Sequence, residues 1–160
     1  MKNHGPSTAQ ADKNVQRFKK ILVAFDGSEY SIRALRAAEI LAKAQGSELL
    51  ILYVSLPLIF SHSGMSNVDI QRIDRIEKEE AEAIVKRANE LMREENIDAK
   101  VKVVEGVLSA VQAITEYADK ESVALIAVGT RGMSGFKKLF LGSVSNGVVA
   151  HAPCSVLVVR

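Results

Sequence analysis

The chain has 160 residues, of which 48% are hydrophobic and 25% charged, with a formal net charge of +2. That is the size of one domain, and its lysines and arginines are mixed with acids rather than gathered in the dense stripe of a nucleic-acid reader. The single cysteine, Cys154, rules out an internal disulfide and a cysteine-based metal site.

Residues 1–17 are polar, contain Gly5, Pro6, Ser7 and Thr8, and offer little that can pack, which predicts a disordered tail ahead of one domain over residues 18–160. The apolar run 20–25 (KILVAF) reads as a buried strand, and Asp26-Gly27-Ser28 as the turn that ends it. Ile32, Leu35, Ala38 and Ala42 then recur at helical spacing, with Gly46 suited to the C-cap. Residues 49–54 form a second strand, followed by a connection long enough to suggest a functional or interface loop. A long helix is expected over 69–95, entered by a capping box of Ser66 and Asp69 and supported on its exposed face by Glu82 and Lys86.

Residues 99–104 alternate apolar and charged side chains, the pattern of a half-exposed edge strand. Val107, Val111, Ile114 and Ala118 mark a third helix, and 124–128 a fourth buried strand that ends at Gly129. A second long loop, a short helix over 143–151 and a last strand over 155–159 complete the chain. Strands alternating with helices imply a parallel sheet with helices on both faces, the open doubly wound α/β plan. Such sheets bind ligands beyond the carboxyl ends of the strands, where the strand order reverses. No signal-peptide stretch opens the chain, and the longest apolar run, 49–60, is broken by Ser55 and Pro57 and too short for a bilayer. A cytoplasmic protein without a membrane or nucleic-acid partner is expected, with Cys154 a small core hydrophobe.

The segment Gly129-Thr-Arg-Gly132-Met-Ser-Gly135-Phe-Lys-Lys-Leu-Phe-Leu-Gly142-Ser143 runs from the end of a buried strand to the start of a helix. Glycines there let backbone N–H groups approach an oxyanion, and the helix start adds unpaired donors and a positive dipole end. Ser143 is placed to cap the helix or to donate to a phosphate. From the residues alone, a phosphate cradle and a glycine-rich surface loop with a helix cap both remain open. Asp26 likewise reads either as a ligand to nucleotide or as an Asx turn before the helix. Arg131, Lys137 and Lys138 either steer phosphates or form a solvated loop face. Neither GxxxxGK[ST] nor GxGxxG after the first strand occurs, so P-loop and dinucleotide fingerprints are absent. His4, His62 and His151 have no metal-ligand spacing, and Ser61-His62-Ser63 lacks a GxSxG elbow.

The spacing G-x2-G-x9-G-[ST], filled by Gly129, Gly132, Gly142 and Ser143, resembles the ATP-binding signature of the universal stress protein family. The flanks are similar too: 20–28 (KILVAFDGS) to the family's opening strand and turn, and Ala152-Pro153-Cys154 with 156–160 to its C-terminus. The resemblance covers residues 18–160. It implies a Rossmann-like sheet, of the adenine nucleotide alpha hydrolase-like kind, with five parallel strands in the order 3-2-1-4-5. It also implies ATP as ligand, carrying Mg²⁺ or Mn²⁺ on its phosphates, and a homodimer through the C-terminal strand. Carried over by position, Asp26 would lie near the ribose or phosphates, the backbone at Ala24 and Val54 around adenine, and Gly129 against the ribose. Gly132, Gly142, Ser143, Val144 and Ser145 would hold the phosphates. The expected function is a nucleotide-dependent regulator of the stress response, the alternative a slow ATPase or a phosphotransferase that modifies itself. The chain departs from the family pattern at Asn146-Gly147, where a mid-helix glycine is expected to loosen the last helix by up to about 1 kcal/mol relative to alanine, and at Ser155, where a proline is common.

Overall fold

Unbroken apolar runs become the middle of the sheet. Strand β1 (Lys20–Ala24) buries Ile21, Leu22 and Val23 completely, and β4 (Leu125–Gly129) is buried along its whole length. Strands that read as continuous apolar runs are thus covered on both faces. The structure, a computed structural model, describes residues 18–57, 66–105, 107, 109–132 and 141–160. The expected tail over 1–17, the Ser61-His62-Ser63 cluster, Gly135, Lys137 and Lys138 lie outside the described residues.

Strand β2 (Glu48–Val54) pairs with β1, β3 (Lys100–Val104) forms one edge, and β5 (Ser155–Val159) the other. All pairings are parallel and the order is β3-β2-β1-β4-β5, as the resemblance implied. Side chains alternate across the sheet, so neighbouring strand residues feed different layers. On one face Ile21, Val23, Ile51 and Ala127 meet Ala34, Leu35 and Ala38 of helix α1 (Glu29–Gln45) and Ala88 and Leu91 of α2 (Asn67–Glu94). On the other, Leu22, Leu50, Leu52 and Ile126 meet Ile114 and Ala118 of α3 (Ala110–Lys120) and Val148 of α4 (Ser143–His151). Each fully buried leucine or isoleucine in these layers contributes roughly 1.5–3 kcal/mol.

The helix ends follow the expected chemistry. Ser28 caps α1 by accepting the Ser31 N–H at 3.2 Å, and Gly46 ends it at φ 67° with its N–H on Ala42 O. Ser66 and Asp69 form the predicted capping box on α2, each accepting the other's backbone N–H at 3.3 Å. The Ser66 hydroxyl, then its N–H, hold the Asp69 carboxyl below the ordinary aspartate range. Within α2 Arg87 pairs with Glu90 at 3.8 Å, rather than Glu82 with Lys86. Helix α3 begins later than its periodicity suggested: Ser109 is its N-cap, accepting the Gln112 N–H, so Val107 precedes the helix.

Gly147 has a different meaning from the one its sequence context suggested. A Cβ built there would stand 2.6 Å from Cγ2 and 3.1 Å from Cγ1 of Val111. The glycine lets α4 close onto α3, a packing requirement that stands against its low helix propensity. Cys154 is half-buried against the α3–α4 layer, and burial pushes its thiol above the ordinary cysteine value. No helix among the described residues is long and apolar enough to cross a membrane.

Candidate functional site

Strands β1 and β4 are neighbours in space, but the chain runs outward from them in opposite directions, so the strand order reverses between their carboxyl ends. A cavity of about 360 Å³ opens there. The sequence-predicted residues Ala24, Asp26, Val54, Gly129, Gly132, Gly142, Ser143, Val144 and Ser145 all line it. Ala24 and Val54 end β1 and β2, which puts both backbones at the rim of the sheet.

Short backbone links draw the distant pieces together. Beyond β4, Thr130 still donates to Val159 O of β5 at 2.8 Å, and its own carbonyl accepts the Gly142 N–H at 2.7 Å. The N-terminus of α4 is thereby pinned beside the end of β4. Gly142, not Ser143, is the N-cap; it has φ −67° and no side chain to offer, so the helix starts without a side-chain cap. The first helical bond runs from Asn146 N to Gly142 O, which leaves the N–H groups of Ser143, Val144 and Ser145 at the head of the helix without intrahelical acceptors. Ser143 and Val144 are exposed, whereas Ser145 is buried and donates its hydroxyl to Gly129 O at 2.5 Å. The Ser145 side chain therefore braces α4 against β4, and what it turns to the helix head is its N–H.

Asp26 combines the two readings its position allowed. Its Oδ1 accepts the Ser28 N–H at 3.0 Å, an Asx turn that sets up the Ser28 cap, while Gly27 bends the chain at φ 79°. Its Oδ2 faces Gly132, where a Cβ would stand only 2.7 Å away. Gly132 thus permits close approach between the first turn and the loop after β4. Gly129 has a role the sequence did not disclose: a Cβ there would lie 2.7 Å from the carbonyl carbon and Cβ of Tyr30 and 2.8 Å from its oxygen. The first turn of α1 rests on this glycine.

Several wall residues escaped the sequence reading. Tyr53 and Glu80 join Asp26, and Ala110 and Ile114, one turn apart on α3, line the wall with them. The α3 pair had a findable signal in its i, i+4 spacing; Tyr53 had only its place before Val54 on the strand. Burial raises the Tyr53 phenol above the ordinary tyrosine range, the carboxylate of Glu80 and more weakly that of Asp26 add to this, and the Ser55 hydroxyl opposes it. Tyr53 therefore presents a neutral hydroxyl at neutral pH. A broader groove of about 910 Å³ runs along α2 and β3, lined by Val85, Met92, Ile97 and Val103 with Lys78, Lys86 and Glu82 at its sides. None of its lining residues is a glycine or heads a helix, so it lacks the helix-head chemistry of the smaller cavity.

Known proteins share this fold. The model of the Universal stress protein family matches residues 17–160. Universal stress protein YxiE of Bacillus subtilis is 38% identical over 149 residues, 89% of this chain and 99% of that protein. Among solved structures, universal stress protein UspA from Lactobacillus plantarum superposes with a TM-score of 0.72 at 25% identity, over 90% of this chain and 99% of its own. A universal stress protein solved in complex with cAMP gives a TM-score of 0.55 at 26% identity, over 91% and 98%. A sheet in this order, with its cavity at the reversal point and a family match that leaves out only the first 16 residues, means that the chain belongs to the universal stress protein family.

Proposed function

We propose that residues 18–160 act as one ATP-binding domain, a cytoplasmic regulator of the stress response whose state follows nucleotide occupancy. The observation that carries this reading is the convergence of the α4 N-terminus, the Gly129–Gly132 turn and Asp26 on one cavity. The cavity volume of about 360 Å³ falls in the range of small-molecule sites. The apolar side chains of Leu52, Val54 and Ile114 suit a base. The uncapped helix head, with no Cβ at Gly142, suits phosphate. A relative at 26% identity was solved with cAMP, so an adenine nucleotide is a ligand for a close structural counterpart. Mg²⁺ or Mn²⁺ belongs to the ligand, bound to its phosphates.

Titration calorimetry with ATP, ADP and GTP is the direct test. Adenine nucleotides should bind at about micromolar Kd, near −8 kcal/mol, and GTP more weakly. Folded protein that shows no heat and no competition with any adenine nucleotide would refute the reading.

The same reading includes a homodimer through β5. That strand pairs only with β4 among the described residues, and Val156, Leu157, Val158 and Val159 are all half-buried along it. A free sheet edge of this kind is normally hidden or used, and two such edges related by a two-fold axis satisfy each other. Sedimentation equilibrium should return the mass of two chains at micromolar concentration, and Val158→Pro should weaken that association or damage the sheet. The mass of one chain throughout that range would remove the proposed interface.

A further inference from the structure

Arg131 stands on the cavity wall between Thr130 and Gly132, and its side chain is held by a residue outside the cavity. Its guanidinium carbon lies 5.8 Å from the centroid of the Tyr30 ring, and Nη1 is 3.5 Å from the Tyr30 hydroxyl. The backbone and Cβ of Tyr30 abut Gly129 at the end of β4, which sets where the ring begins. The ring's other cation, Arg33 at 5.6 Å, is ion-paired to Glu29 within α1. Of these two guanidinium groups, that of Arg131 is the one that belongs to a residue of the cavity wall.

The α4 N-terminus sits against the same residue, since a Cβ at Gly142 would be 3.5 Å from Arg131 Cα. The helix head thus adjoins the backbone of the residue that carries the guanidinium, and the two donors act differently. Helix N–H groups accept any phosphate. A guanidinium fork gains with each further anionic oxygen it can reach, and one already held beside a ring loses less freedom on binding.

We infer that Arg131, positioned by the Tyr30 ring, makes the site count phosphate charge, favouring a nucleoside triphosphate over a cyclic monophosphate or a bare nucleoside. This rests on the nucleotide reading above and adds the residue pair that sets selectivity within it. Arg131 is the specificity determinant and Tyr30 a positioning residue.

The test measures dissociation constants of ATP, cAMP and adenosine for the unaltered chain and for Arg131→Gln, Tyr30→Leu and Tyr30→Phe, with a melting curve for each. Arg131→Gln should weaken ATP by about tenfold or more while changing adenosine by less than about threefold, because the lost contact is charge-assisted. Tyr30→Leu keeps the Cβ that packs on Gly129 but removes the ring, and should weaken ATP by roughly three- to tenfold, with no further loss when combined with Arg131→Gln. Tyr30→Phe restores the ring face and should bind ATP within about twofold of the original. Equal losses for ATP and adenosine, or no loss for ATP in Arg131→Gln, would overturn the selectivity and leave the nucleotide reading standing. Failure of the unaltered chain to bind any of the three would defeat the nucleotide reading, and the selectivity with it.

Discussion

Replacing Gly129 with alanine should lower stability by about 2–3 kcal/mol, the cost of forcing a methyl group into a packed contact. For a chain of this length that is a fall in melting temperature of roughly 5–10 °C. The added Cβ would meet backbone, the carbonyl carbon and oxygen of Tyr30 at 2.7 and 2.8 Å, so no rotamer change relieves it. Nor is the first turn of α1 free to retreat. Ser28 and Ser31 lock it, Ser31 Oγ donating to Ser28 O at 2.9 Å, and Ala34 and Leu35 behind it are fully buried. Gly147→Ala meets side-chain atoms instead, Cγ2 of Val111 at 2.6 Å. A β-branched residue in a helix has one strongly preferred rotamer, so it yields little, but alanine recovers up to about 1 kcal/mol of helix propensity. Its net cost should be near 1 kcal/mol. Gly142→Ala, with nothing among the described residues closer than Thr130 O at 3.4 Å, should leave stability unchanged. Urea titrations of the three variants give the ranking directly. A Gly129→Ala protein as stable as the original would show that the contact with Tyr30 is not the reason for glycine at this position.

The glycines also mark where sequence reasoning stops. Apolar runs and 3.6-residue spacing placed β1 to β4 and α1 to α3, because they are local properties, and turn chemistry located Gly46 and the Ser66–Asp69 box for the same reason. The edge character of β3 was legible in its alternation of Lys100 and Lys102 with valines. What a glycine is for depends on the atom opposite it, and those atoms come from far along the chain: Tyr30 for Gly129, Asp26 for Gly132, Val111 for Gly147. Nothing local distinguishes a glycine that admits a ligand from one that admits a helix. Val107 misled for a related reason. It continues the apolar spacing of α3, yet Ser109 takes the Gln112 N–H and starts the helix after it. Tyr53 and Glu80 reach the cavity through topology alone, from the side of the sheet covered by α1 and α2.

Gly142→Val should weaken ATP binding by about 30-fold or more, roughly 2 kcal/mol, while costing the free protein less than about 1 kcal/mol. The backbone does not require glycine here, since φ is −67° and any residue adopts it. Nor do the described residues next to Cβ forbid a side chain, because Thr130 O at 3.4 Å and Arg131 Cα at 3.5 Å are ordinary contacts. Those neighbours do fill one side of the position. The branched γ-carbons of valine are left to project toward the cavity, over the N–H groups of Ser143, Val144 and Ser145 that head α4. A phosphate accepting from these groups needs that volume, and losing it removes several charge-assisted hydrogen bonds together. Alanine at the same position, unbranched, should cost only a few-fold in affinity. Calorimetry of both variants with ATP, alongside their melting curves, separates the two effects. If valine left ATP affinity unchanged in a folded protein, phosphate would not lie at the α4 N-terminus. If affinity and stability fell in step, the glycine would be serving the fold and not the ligand.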